Sequence, residues 1–177
     1  IAVLVSLVPF ETTCNKLEND VFRLHILANS DAQPDQKLKL MVRDEVIKKI
    51  SPLYNGAKTK EEAISITKDN LSYIEKIAAD VIVSNGKDYT VNAEIKEEFF
   101  DTRYYDEFTM PAGVYDSLTI SIGEAKGKNW WCVMYPPLCL DMSTERREGY
   151  TKAENDLIMG KYVIKFKIME LISEVIK

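Results

Sequence analysis

Between Tyr89 and Tyr135 the chain passes through three stretches of two-residue alternation with no helix-period segment between them. This succession limits the fold more than any other feature, because parallel neighbours need a crossover of about a dozen residues or more, whereas antiparallel ones need only a short connection. The first stretch sets Tyr89, Val91, Ala93 and Ile95 on one face and runs on towards Phe99 and Phe100. After an aromatic loop at Arg103, Tyr104 and Tyr105 and a turn at Pro111 to Gly113, Leu118, Ile120 and Ile122 alternate with Thr119 and Ser121. Gly123 to Asn129 reads as a hairpin connection into Trp130 to Tyr135, whose near-continuous apolar character suits the inside of a sheet. The last two strands are therefore expected as antiparallel neighbours.

Ahead of these strands, Glu11 to Asp20 reads as an exposed lead-in. From Val21 to Ala28, Phe22, Leu24, Ile26 and Ala28 share one face, and Val21, Arg23, His25 and Leu27 the other, which is a strand pattern. Asn29, Ser30 and Asp31 supply capping side chains and Pro34 suits a first helical turn. Leu38, Met41, Val42, Val46, Ile47 and Ile50 then recur at helical spacing, up to Pro52. Thr59 with Glu62, and Ser72 with Glu75, are capping-box pairs, so residues 59–84 are two helices or one bent one, stopped by Asn85 and Gly86. Ile164, Ile168, Leu171, Ile172 and Val175 mark a terminal amphipathic helix. The expected fold is α+β: a mainly antiparallel sheet of about four strands packed with three to four helices, in a single domain over residues 21–177. Residues 1–20 form the distal part of a signal or anchor segment and a lead-in.

That reading of the start rests on residues 1–10, an apolar run as long as a signal-peptide core but short of the roughly 20 residues a spanning helix needs. An ordinary first strand or buried helix is the alternative. The net charge of −5 argues against nucleic acid, since phosphate binding needs clustered Lys and Arg on a net basic face. The basic groups at Lys48 and Lys49 and from Lys161 to Lys167 have the spacing of solvated helix faces. Cys14 stands alone, while Cys132 and Cys139 flank the Pro136–Pro137 turn. In an oxidising compartment these two either bond or stay as two buried thiols, depending on whether their α-carbons come within about 4.4 to 6.8 Å.

Catalytic and cofactor chemistry finds little support. His25 is the chain's single histidine, no G-x-S-x-G elbow surrounds Ser30, and burial among aromatics would raise the pKa of Cys132 or Cys139. Glu94, Glu97, Glu98, Asp106 and Glu107 offer carboxylate pairs, but solvated strand ends and loops explain them equally well. Thiolate zinc lacks ligands, and residues 123–127 match no phosphate loop, so no metal or cofactor is expected.

The run from Phe22 to Asp31, then Asp35, Gln36 and Leu38 to Asp44, resembles the opening of the stage II sporulation protein R family. Asn129 to Cys139, Thr102 to Tyr105, and Pro111 to Gly113 with Tyr115 are similar to the same family, so the resemblance covers Val21 to about Cys139. It implies a secreted signalling protein without catalytic activity, exported into the space between forespore and mother-cell membranes. There it would activate a membrane-embedded aspartic protease that processes the precursor of the mother-cell sigma factor, touching the membrane only through its N-terminal segment. For such a ligand, with interfaces favouring Trp, Tyr and Arg, the candidate partner-binding residues are Arg23, His25, Asn29, Asp31, Arg43, Arg103, Tyr104 and Trp130. Each has a structural alternative: helix capping for Asn29 and Asp31, pairing with Asp44 or Asp31 for Arg43, core filling for Trp130. Two other classes compete: a cell-wall or peptide hydrolase of the same space using His25 or a carboxylate pair, and a scaffold binding through its terminal helix.

Overall fold

The computed structural model describes residues 12–104 and 109–136. The N-terminal apolar run, Cys139 and the predicted terminal helix lie outside them. A helix over residues 12–20 (α1) leads into β1 (Phe22–Leu27), α2 (Gln33–Ile50), a 3-10 turn (Ser51–Tyr54), α3 (Lys60–Asp69) and α4 (Leu71–Ser84). The strands β2 (Val91–Phe100), β3 (Arg103–Tyr104), β4 (Thr109–Met110), β5 (Gly113–Ile122) and β6 (Asn129–Tyr135) follow. The fold is α+β, as the pattern predicts. The described residues fall into two compact units, one over 21–97 and 116–136, the other over 12–20 and 98–115.

In the first unit the sheet order is β2-β5-β1-β6. The expected pairing of β5 with β6 is therefore wrong: β1 lies between them, parallel to β5 and antiparallel to β6. The physical reason is burial. Residues 21–26 are buried without interruption, so both faces of β1 must be covered and both its backbone edges paired. Stepping over one strand takes about 10 Å, two inter-strand spacings, which residues 123–128 easily span. The apolar β6 is not interior either, being an outer strand among the described residues.

Phe22, Leu24 and Ile26 of β1, Leu118 and Ile120 of β5, and Cys132 and Met134 of β6 face one layer of helices. That layer supplies Leu38, Val42, Val46 and Ile50 from α2, Ala63 from α3, and Ile74, Ile77, Ala78 and Ile82 from α4. Met41, predicted on the buried stripe of α2, is instead 38% exposed, and Asp35 and Lys39 are buried in its stead. The helix ends follow local chemistry. Thr59 caps α3, accepting from Glu62 N at 3.2 Å, while Glu62 Oε2 accepts from Lys58 N at 2.7 Å. The second predicted capping box does not form: α4 starts after Asn70 without a side-chain cap, and Glu75 instead accepts from Ala93 N of β2 at 2.9 Å. Gly86, at φ 70°, ends α4 with Lys87 N bonding Ile82 O and Gly86 N bonding Val83 O, a Schellman closure that needs a left-handed residue there. Tyr54 turns inward, its hydroxyl 2.7 Å from Thr67 Oγ1, and burial pushes its pKa up to about 12. Lys60 meets Asp116 at 2.8 Å, joining the start of α3 to β5.

In the second unit the predicted lead-in is an amphipathic helix. Cys14 and Leu17, three residues apart, are buried, too few apolar positions for a periodicity to show in the sequence. Beside it, residues 98–115 double back as a hairpin in which Arg103 pairs with Met110 and Tyr104 with Thr109. Ala112 N donates to Thr102 Oγ1 at 3.2 Å, and Tyr115 Oη to Pro111 O at 2.8 Å.

Ile26 is fully buried in the central strand. Ile26→Ala is expected to cost about 2 to 5 kcal/mol, read as a lower urea midpoint at unchanged slope.

Candidate functional site

At the carboxyl end of β1 the chain must turn into α2 while residues 123–128 cross beside it, and a polar clasp joins the two. Gly127 N donates to Ala28 O (2.9 Å) and Lys126 N to Asn29 O (3.2 Å), prolonging the backbone pairing beyond the strand. Asn29 Oδ1 accepts from Glu124 N at 3.0 Å, and Asp31 Oδ1 from Lys128 N at 2.6 Å. Neither side chain caps α2, whose N-cap is Ala32 with no side-chain bond. The capping expected of Asn29, Ser30 and Asp31 is thus replaced by a tie to a segment about a hundred residues away in sequence. Gly123, at φ 58°, and Gly127 allow the close approach, since a Cβ there would collide with the Asn29 side chain and the Ser30 carbonyl respectively.

The clasp centres on Asp35. Its Oδ2 accepts from Asn29 Nδ2 (2.8 Å) and Ser30 Oγ (2.6 Å), its Oδ1 from Tyr89 Oη (3.1 Å). These bonds, Asn29's first, hold the carboxyl below its ordinary range against the opposing effect of burial, and the Lys87 charge adds to the lowering. One helical turn on, buried Lys39 donates to Gln36 Oε1 (2.8 Å) and Lys128 O (2.7 Å). Burial draws its ammonium pKa down, partly countered by Asp31. Strand ends of this kind are where open sheets often bind ligands, but here the chain's own groups occupy the donors and acceptors.

The candidate partner-binding residues separate into distinct settings. Arg23 and His25 lie on the β1 face opposite the helices and are buried, alongside buried Ser117 and Thr119 of β5. His25 stacks on Trp131 with ring centroids 3.9 Å apart and planes 8° from parallel. A buried side chain offers a partner little to touch, so these two build the sheet's second face. Asn29 and Asp31 belong to the clasp. Arg43 binds Asp44, Nε to Oδ1 at 2.7 Å, and lies over the Trp130 ring at 5.1 Å from its centroid. Arg43 and Trp130 are both partly exposed, beside exposed Leu40 on α2. Arg103 and Tyr104 stand in the other unit, on the hairpin. Cys132 is disulfide-bonded and Cys14 is a free, buried thiol; Cys139 lies outside the described residues.

The residues missed in the sequence are Asp35, Lys39 and Tyr89. A usable signal existed: Asp35, Lys39, Val42 and Val46 share helical spacing, so two charged residues sit on an apolar stripe. Charges on a buried stripe must find partners, which marks the position.

Asp35→Ala removes three hydrogen bonds to a carboxylate and is expected to lower stability at pH 7 by about 2 kcal/mol in urea unfolding. Because the folded carboxyl lies below its unfolded value of about 3.9, its contribution is complete above that pH and is lost as pH falls through the lowered folded value. The gap between wild type and variant should therefore hold from pH 7 to about pH 5 and close only in more acid solution.

Residues 18–145 match the family model described as Stage II sporulation protein R. The curated stage II sporulation protein R of Bacillus subtilis (strain 168) is 37% identical over 141 residues, covering 75% of this chain and 63% of that protein. The chain thus spans just under two thirds of that relative's length. No solved structure matches.

Proposed function

The chain belongs to the stage II sporulation protein R family, and from that premise we propose that it is a secreted signal between the two compartments of a sporulating cell. Exported into the space between forespore and mother-cell membranes, it activates a membrane-embedded aspartic protease, which then processes the precursor of the mother-cell sigma factor. The family match across residues 18–145 carries this reading.

The chemistry of the described residues agrees with a ligand that acts by contact. The single histidine is packed flat on Trp131 inside the sheet. The carboxylate with the most side-chain donors at the clasp, Asp35, has its bonds directed to Asn29, Ser30 and Tyr89, neighbours within the fold. Arginine and aromatic side chains lie partly exposed at Arg43 and Trp130 and at Arg103 and Tyr104, the residue types that dominate interface energies.

The test is reconstitution in a non-sporulating host producing the protease and the sigma-factor precursor, with and without this protein carrying an export segment. Precursor cleavage, read on a gel, is expected only when the protein is present. It should survive His25→Phe, which keeps a ring to stack on Trp131 but removes the imidazole nitrogens. Absence of cleavage with all three proteins present and exported would refute the reading. Loss of cleavage with a folded His25→Phe protein would point to imidazole chemistry instead.

A further inference from the structure

The hairpin of residues 98–115 has one face covered and the other turned to solvent. Phe100 and Tyr115 meet edge to face at 5.7 Å and are both buried. Gly113, two residues before Tyr115 and so on the same strand face, lies against Glu18 of α1, where any Cβ would collide with the carboxylate. That carboxylate also accepts a bond from the Val114 backbone, while its burial raises the pKa. The helix α1 therefore covers this face.

Strand alternation sends Phe99 and Val114 to the opposite face, where they are 57% and 52% exposed. Tyr104, on the short strand that continues this arm of the hairpin, is 51% exposed. Three large apolar side chains more than half exposed within one hairpin form a concentrated patch, of the kind that marks an interaction site more often than solitary exposed residues do. The charge around it narrows the occupant. In sequence, Glu98, Asp101, Asp106 and Glu107 stand here against Arg103. An anionic lipid surface would be repelled by that balance, whereas a protein surface with an apolar seat and a rim of Lys or Arg would complement it.

We propose that the Phe99, Val114 and Tyr104 face is the docking surface for the protease, received by an apolar seat with a basic rim on the protease's extracytoplasmic side. This rests on the signalling reading above and names the surface through which it acts.

The test uses the same reconstitution with three variants of the full chain. Phe99→Ser combined with Val114→Thr removes the apolar face, with Thr retaining strand preference. Asp101→Lys reverses an exposed charge and leaves the apolar face intact. Tyr73→Ser alters an exposed aromatic on α4, away from the hairpin, as a control. Exported amount and urea midpoint are measured for each. The double variant should need at least about tenfold more protein for half-maximal cleavage. Asp101→Lys should need several-fold more, an effect that shrinks as salt is raised, and Tyr73→Ser should match wild type. Wild-type cleavage with an equally active, folded double variant overturns the docking surface but leaves the signalling reading standing. If the double variant does not fold, Asp101→Lys decides, and wild-type activity in it overturns the proposal. No cleavage even with wild type overturns both. A lipid outcome is read separately, with vesicles containing phosphatidylglycerol and no protease: binding by wild type that the double variant loses would make this a membrane face and refute the protein partner.

Discussion

A strand buried on both faces and paired along both edges sets the terms for the rest of the larger unit. β1 takes β5 as a parallel partner and β6 as an antiparallel one, so the β5–β6 connection must pass over the end of β1. It does so next to the first residues of α2, where backbone donors would lose water. The clasp answers this need: Asn29, Asp31 and Lys39 each bond the main chain of the crossing segment, and Asp35 holds Asn29, Ser30 and Tyr89. Charged acceptors and donors suit the position because their bonds are stronger than neutral ones and lose more if left unmade. The run of polar residues after β1 is in this sense part of the sheet's topology.

The same burial decides what the second face of β1 can do. Arg23 and His25, which in sequence are polar residues alternating with apolar ones, would point into water on a half-exposed strand. In the fold they lie beside Ser117, Thr119 and Trp131 in a covered polar layer. Surface arginine and aromatic groups remain at Arg43 with Trp130 in one unit and at Arg103 with Tyr104 in the other. The positions open to a partner are therefore separated from those that make the molecule fold, which lets contact residues change without disturbing the sheet.

Legibility differed by element, and the differences have causes. The strand alternation of Phe22 to Ile26 and of Leu118 to Ile122, the stop at Gly86 and the Thr59 cap were readable because periodicity and capping act within a few residues. The helix at 12–20 was hidden because only Cys14 and Leu17 supply its buried face. Asn29 and Asp31 looked like caps because the residue types are the same whether the acceptor serves the next helix or a strand connection far along the chain. Family resemblance, carried by the same runs, was legible because it needs residue identities only.

By itself, then, the sequence determined the α+β class, most element boundaries and the kinship with stage II sporulation protein R, all of which rest on local pattern or on identity. Tertiary structure alone decided that β1 separates β5 from β6, that Asp35 and Lys39 are buried, that His25 stacks on Trp131, and that Phe99 and Val114 face outward. Strand order and burial depend on which distant segment covers a given face, and alternation constrains which residues share a face without saying what lies against it.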